Sequence, residues 1–294
     1  MSGETHPPAP RSDPATEGLS LTALVRRNDR DRYQTALFAP ARRREALLTL
    51  YAFNYEIARV RETVTQPMLG QIRLQWWREV LDAAYAGAAP RPHPVVLPLS
   101  TVIHEFRLTR AHFDRLIDSR ERDLSDEPPA SLAALEDYAE GSSAYLVQLA
   151  LEGLGAQQPE VEKIAREVGI AYALVGLLRA MPFHARAGRS YIPRDLAERA
   201  GFDPSDYAAG RGTPALRTII GEIADAAARH LRAAREGHTA VARSAIPALL
   251  PAVVADRFLL RLRHSDYDPF APALAAPDPL QIWRLAFASL LGRF

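Results

Sequence analysis

Cysteine is absent from this 294-residue chain, which excludes disulfides, thiolate nucleophiles and every zinc or iron–sulfur centre that needs cysteine ligands. Lysine is nearly absent as well, since Lys163 is the single lysine among 36 basic residues. Schiff-base chemistry or a lysine-centred phosphate loop would depend on that one residue, which lies in the charged run 160–167, the pattern of a solvated helix face. Neither sign of charge is in excess: 35 acidic residues leave a formal charge of +1, so no global field recruits nucleic acid, and no nucleic-acid partner is expected. A long apolar run is missing too. The nearest, 246–255, is broken by Pro247 and Pro251 and falls short of the ~18–20 residues of a membrane span.

What is present is the composition of a chain that folds, 48% hydrophobic and 24% charged. Residues 1–18 are rich in Pro, Ser, Thr and Gly and read as a disordered tail. Glu4, Asp13 and Glu17 in it disagree with a mitochondrial presequence, which avoids acids. The expected location is therefore cytoplasmic, peripheral to the cytoplasmic membrane, and residues 19–294 are expected to form one domain. Within them Leu47, Tyr51, Tyr55 and Ala58 recur at helical steps, as do Ile72, Trp76, Val80 and Ala84, each marking one face of a helix. Ser131 is placed to cap a helix reaching about residue 152, and Pro159 to open one that runs to Arg179 and is stopped by Pro182. Further helices are predicted over 214–236, 244–263 and 277–294. With no strand-like alternation, the expected architecture is an all-α, single-domain bundle.

Conventional catalytic motifs are thin. His104 and Glu105 lack the second histidine of a zinc-protease helix, no glycine-rich phosphate loop follows a strand, and the eight histidines are scattered. The acidic run 118–127 is interleaved with arginines and reads as a solvated helix end. Trp76 and Trp77 read as core, and Arg59 as the partner of Glu56 or Glu62 one turn away.

Two segments are more specific, LTLYAFNYEIARVRE and REVGIAYALVGLLRAMPFHARAGRSYIP, and with them FDRLIDSRERDL and YAEGSSAYL. Together, over residues 31–191, they resemble the squalene/phytoene synthase family of isoprenoid synthases. The resemblance implies an isoprenoid-synthase-type bundle with a central cavity, in which two aspartate-rich motifs hold magnesium and the diphosphates of two prenyl substrates. In register, the first motif falls on Ala58, Arg59 and Glu62, and the second on Ala180 and His184. Only the final acid of the first motif survives, as glutamate, so no catalytic residue and no metal site is expected. Other family positions persist, and the resemblance makes Arg179, Arg189, Tyr191, Asp123, Tyr51 and Tyr138 the expected ligand-binding residues, with Gly141 a small residue of the cavity helix.

A sharper match, over residues 51–270, runs through FNYEIARVRETV, GQIRLQWWREVLDAAYAG, LLRAMPFHARAGRSYIPRDL and IPALLPAVVADRFLLRLRHSDYDPF. It is similar to the catalytically degenerate branch of that family made up of mitochondrial complex I assembly factors. This implies a protein that acts by binding, with respiratory complex I subunits or assembly intermediates as partners and an isoprenoid or lipid as ligand. The alternatives are an active head-to-head prenyltransferase, with magnesium held by Glu62, Asp118, Asp123 or Glu140, and a structural helical adaptor. The C-terminal segment LQIWRLAFASLLGRF has two adjacent apolar rows, Ile282, Ala286, Leu290, Phe294 and Trp283, Phe287, Leu291, flanked by Arg284 and Arg293. The bundle itself is the expected cover for this wide stripe, with a membrane interface or a partner helix as the functional alternative.

Overall fold

The computed structural model describes residues 20–294, so the expected tail lies outside the described residues. Among these every regular element is helical. In chain order they are α1 (Leu21–Asn28), α2 (Arg30–Ala36), α3 (Ala41–Ala58), α4 (Pro67–Tyr85), α5 (Val96–Phe106), α6 (Arg110–Glu121), α7 (Leu132–Ala139), α8 (Tyr145–Leu154) and α9 (Pro159–Arg186). There follow α10 (Arg194–Ala200), α11 (Pro204–Ala208), α12 (Pro214–Glu236), α13 (Ile246–Leu249), α14 (Pro251–His264), α15 (Pro272–Ala275) and α16 (Gln281–Leu291). Short 3-10 turns at Val60–Thr63 and Arg122–Leu124 close α3 and α6.

Local chemistry sets many of these ends. The Ser131 hydroxyl accepts from the Ala134 amide at 3.2 Å and Asp29 accepts from Arg32 at 3.1 Å, each satisfying an amide that has no intrahelical partner. Pro67, Pro159, Pro214 and Pro251 open their helices, where a missing N–H costs nothing. Gly155 ends α8 at φ +65°, a left-handed conformation that is cheap only without a Cβ.

The organising element is α9, which packs against α7, α8, α12 and α14. Among the described residues it is the one helix long and apolar enough to cross a membrane, but it serves as the core helix, apolar on many sides because neighbours surround it. It also overrides its own proline. The expected stop at Pro182 is corrected: the helix continues to Arg186 with Pro182 inside. Leu178 and Met181 before the proline and Ala185 after it are all buried, and that packing outweighs the lost hydrogen bond, a penalty of about 3 kcal/mol. The predicted helix over 244–263 is divided at Leu250, where Pro251 restarts it as α14.

Between α7 and α8 the helix ladder is interrupted by a π turn, Glu140–Ala144. A Cβ added at Gly141 would sit 2.8 Å from the Ser119 Cβ, and one at Gly169 would sit 2.3 Å from the Ala144 Cα. Both glycines therefore permit close approach, of α6 and α9 respectively, to the π turn. Trp76 and Trp77 are buried, and Trp77 meets Phe53 edge to face at 5.3 Å, the core role expected for them.

Candidate functional site

The degenerate first motif sits where α3 gives way to its 3-10 turn. Ala58 is the last helical residue, Arg59 the C-cap and Glu62 lies in the turn, exposed. The Arg59 guanidinium lies 3.8 Å from the Glu56 carboxylate and 5.3 Å from the centre of the Tyr55 ring. Arg59 thus pairs one turn back, the pairing expected from the spacing. Tyr51, two turns earlier, is buried in the core. The buried Arg32 guanidinium lies between its ring at 5.9 Å and that of Tyr172 at 4.7 Å, and burial pushes the Tyr51 phenol up to about 12.

The second motif belongs to α9. Ala180 offers no donor atom, and a Cβ added at Gly176 on the same face would meet nothing within 4 Å, so this face fronts open space. His184, one turn on, is partly buried with its Nδ1 unpartnered, and its ring lies 4.9 Å from Tyr191. Burial first, and the Arg189 charge second, push its pKa from 6.5 down to about 4, against the opposing pull of Asp123.

Tyr191 leads to a tightly knit group. Asp123, only 6% exposed, accepts on one carboxylate oxygen from the Tyr138 hydroxyl at 2.6 Å and the Tyr191 hydroxyl at 2.8 Å. Its other oxygen accepts from Arg120 at 3.3 Å. Arg120 also donates to the Tyr138 hydroxyl at 3.1 Å and to the Ser142 carbonyl in the π turn at 3.4 Å. Arg189 donates to the Asp123 carbonyl at 3.0 Å. Burial raises the Tyr138 phenol well above its ordinary value, with the Asp123 charge adding to the effect. A cavity of about 180 Å³ adjoins the group, walled by Tyr138, Arg189 and Tyr191.

Arg179 does not join this group. It forms an ion pair with Asp31 of α2 at 2.5 Å, and Gln281, the first residue of α16, donates to the other Asp31 oxygen at 2.7 Å. Burial alone would raise the Asp31 pKa, but Arg179 and Gln281 hold the carboxyl below its usual range. Of the residues singled out from the sequence, the structure brings together Asp123, Tyr138, His184, Arg189 and Tyr191, and leaves Tyr51, Arg59 and Arg179 outside that group. The sequence reading missed Arg120, Asp31 and Gln281. For Arg120 the three-residue step to Asp123 was a readable signal, whereas Gln281 and Asp31, 250 residues apart, left none.

The resemblance implies magnesium, and the residues present do not fit it. Magnesium needs hard oxygen ligands in near-octahedral array, while Ala58 and Ala180 supply none, Arg59 carries a like charge and His184 offers nitrogen. Of the four acids of the prenyltransferase alternative, Asp118 pairs with Arg78 at 2.8 Å, Glu140 with Arg166 at 2.5 Å and Asp123 as above, while Glu62 stands exposed in its turn, apart from them. Among the described residues no three His, Cys, Asp or Glu gather to hold a metal ion.

The neutral state of partly buried His184 makes stability depend on pH. With a folded pKa near 4 below the ordinary 6.5, the unfolded chain binds more protons between those values. His184 therefore contributes fully above about pH 6.5, and its contribution is lost as the pH falls to 4. Denaturation at pH 7.5 and pH 5 should show a smaller acid loss in His184→Gln than in the parent. A native imidazole that titrates near 6.5 by NMR would contradict this.

An all-α bundle built around one long core helix is the architecture of an isoprenoid-synthase-type fold, and Ala58, Arg59, Ala180 and His184 occupy its motif positions here. Comparison with known proteins agrees. The squalene/phytoene synthase profile matches residues 25–286, and the chain belongs to that family. It is 31% identical to human NADH dehydrogenase (ubiquinone) complex I, assembly factor 6, across 90% of this chain and 81% of that protein. It is 25% identical to presqualene diphosphate synthase of Rhodopseudomonas palustris, across 69% of this chain and 72% of that protein. Of solved structures, squalene synthase HpnC from Alicyclobacillus acidocaldarius superposes with a TM-score of 0.75 at 23% identity, covering 85% of this chain and 94% of that one. A dehydrosqualene synthase in complex with ligand gives 0.79 at 18% identity, covering 92% and 94%. These two likenesses establish the fold.

Proposed function

We propose that this protein has lost metal-dependent prenyl transfer and acts by binding, in the assembly of respiratory complex I, with subunits or assembly intermediates of that complex as its partners. The observation that carries this reading is the state of the two motifs: Ala58, Arg59, Ala180 and His184 stand where magnesium-binding acids are needed, so a leaving diphosphate could not be neutralised in the way such a reaction requires. The similarity to complex I assembly factor 6 proteins across 90% or more of this chain supports the role in assembly. No cofactor is assigned.

The same reading places the protein in the cytoplasm, peripheral to the membrane, with α16 as the contact. That helix turns Leu285 and Ala288 inward and leaves Trp283, Phe287 and Leu290 exposed at 71%, 64% and 69%. This modifies the expectation that the bundle would cover the stripe. The covered strip is Leu285 and Ala288, with Phe294, and most of the two aromatic and aliphatic rows faces outward, a surface suited to a lipid interface.

Purified protein incubated with farnesyl diphosphate and Mg²⁺ is expected to form no product, and cells lacking the chain are expected to lose assembled complex I. Product that requires Mg²⁺ and disappears in Asp123→Asn, or normal complex I levels in the deletion strain, would count against this function.

A further inference from the structure

We propose that the exposed face of α4 docks an amphipathic helix of a partner protein, apolar toward one end and rich in lysine or arginine toward the other. Met68, Ile72, Gln75, Glu79 and Asp82 follow one another at four- and three-residue steps. They therefore form a single row about 21 Å long, with the spacing by which two helices pack side by side. The opposite side of α4 is buried against α5 and α6, while this row is open. Met68 and Ile72 are 62% and 53% exposed, and Leu69 beside them is exposed as well. A groove of about 330 Å³ is lined by Ile72, Gln75, Trp76 and Glu79, with Glu121 from the end of α6. The Trp76 side chain is buried, and its Nε1–H has no acceptor among the described residues, although buried donors normally have one.

Charge decides the occupant. Arg78 lies between Asp118 at 2.8 Å and Glu121 at 2.9 Å. Arg110 lies between Asp82 at 2.7 Å and Asp114 at 2.9 Å, and Arg91 meets Glu79 at 3.0 Å. Five carboxylates thus answer three guanidinium groups, and in every pair the acid is the more exposed member. The exposed Arg115 and Arg122 each stand one residue beyond Asp114 and Glu121, on the next face of their helix. The C-terminal half of the row therefore carries a net negative rim, which repels an anionic membrane and attracts lysine and arginine. Its N-terminal half offers Met68, Leu69 and Ile72 to apolar side chains. A helix laid along the row meets both in order, the mode in which an amphipathic helix seats its apolar face in a groove. None of the degenerate-motif residues or the expected ligand-binding residues lines this groove. Whereas α4 packs on α5 and α6, α16 packs on α14 and α2, so the two exposed faces belong to different parts of the bundle.

The proposal rests on the reading that the protein acts by binding in complex I assembly, and the test separates the two. Fluorescence anisotropy on the full chain would use two labelled peptides of about 15 residues with leucine at heptad a and d positions, one carrying lysine elsewhere and the other glutamate. The lysine peptide should bind and weaken with added salt, and the glutamate peptide should bind much more weakly. The double variant Met68→Ser, Ile72→Ser should weaken the lysine peptide about tenfold or more, and Glu79→Gln, Asp82→Asn about threefold. Trp283→Ser, Phe287→Ser on α16 should leave it unchanged. Equal binding of the glutamate peptide, an unaffected Met68→Ser, Ile72→Ser variant, or binding lost through the α16 variant instead would overturn the proposal. So would a dimer in sedimentation, or flotation with phosphatidylglycerol vesicles, that Met68→Ser, Ile72→Ser abolishes, because the occupant is then a second copy or a membrane. In a deletion strain that loses complex I, the same variant should restore less of it than the parent chain. Full restoration by the variant overturns the docking face and leaves the assembly role standing. Normal complex I in the deletion strain ends the assembly role, and the peptide results still decide the face.

Discussion

Replacing Asp123 by alanine should destabilise the protein by about 3–5 kcal/mol, the usual cost of removing one partner from a buried, hydrogen-bonded charge pair. The carboxylate is the shared acceptor for Tyr138, Tyr191 and Arg120. Removing it leaves two largely buried hydroxyls to find new partners and a guanidinium without its counter-charge, whose Nε has no partner even in the intact protein. At ~2–4 °C per kcal/mol for a domain of this size class, the melting temperature should fall by about 10 °C. Asp123→Asn keeps the shape and one acceptor and should lose less. Urea denaturation measures both, and a loss under about 1 kcal/mol for alanine would show that the network contributes little. A double-mutant cycle with Tyr191→Phe should give a clearly non-zero coupling, since the two groups share one hydrogen bond. The outcome bears on function, because an acid kept to hold tyrosines and arginine in place is retained for structure whether or not any prenyl substrate is turned over.

Gly169→Ala is the second large effect expected, and its sign is set by backbone. The new Cβ would lie 2.3 Å from the Ala144 Cα and 2.8 Å from its nitrogen, atoms that no rotamer can move aside. Either α9 withdraws from the π turn or the turn rearranges, at a cost of about 3 kcal/mol, near the upper end for overpacking. The gain in helix propensity of ~1 kcal/mol from Gly to Ala offsets only part of this. Gly176→Ala on the same helix is the internal control. Its Cβ meets nothing within 4 Å, so that substitution should be neutral or stabilising by up to ~1 kcal/mol. If the two variants melt together, the close approach of α9 to the π turn is wrong.

Some particulars were readable without coordinates. The hydroxyl of Ser131, the prolines at 159 and 214 and the three- and four-residue apolar steps act within one or two turns of chain, and each led to the helix start or face that the structure contains. The exception inside α9 is informative: Pro182 is a local stop signal, overruled by burial of Leu178, Met181 and Ala185 against elements far away in sequence. The C-terminal helix shows the same limit in another form. Its periodicity displays apolar rows on adjacent faces, and only the packing on α14 and α2 selects Leu285 and Ala288 as the strip turned inward.

By itself the sequence determined the helical class, through residue types at local spacings, and, through its resemblance to the family, the replacement of acids at Ala58, Arg59, Ala180 and His184. The tertiary structure alone decided what the retained charges do. Arg179 meets Asp31 across 148 residues and Gln281 reaches Asp31 across 250. Asp123 is enclosed by tyrosines and an arginine. Charge pairing acts over a few ångströms in space, and one-dimensional spacing carries no record of which distant helices come that close.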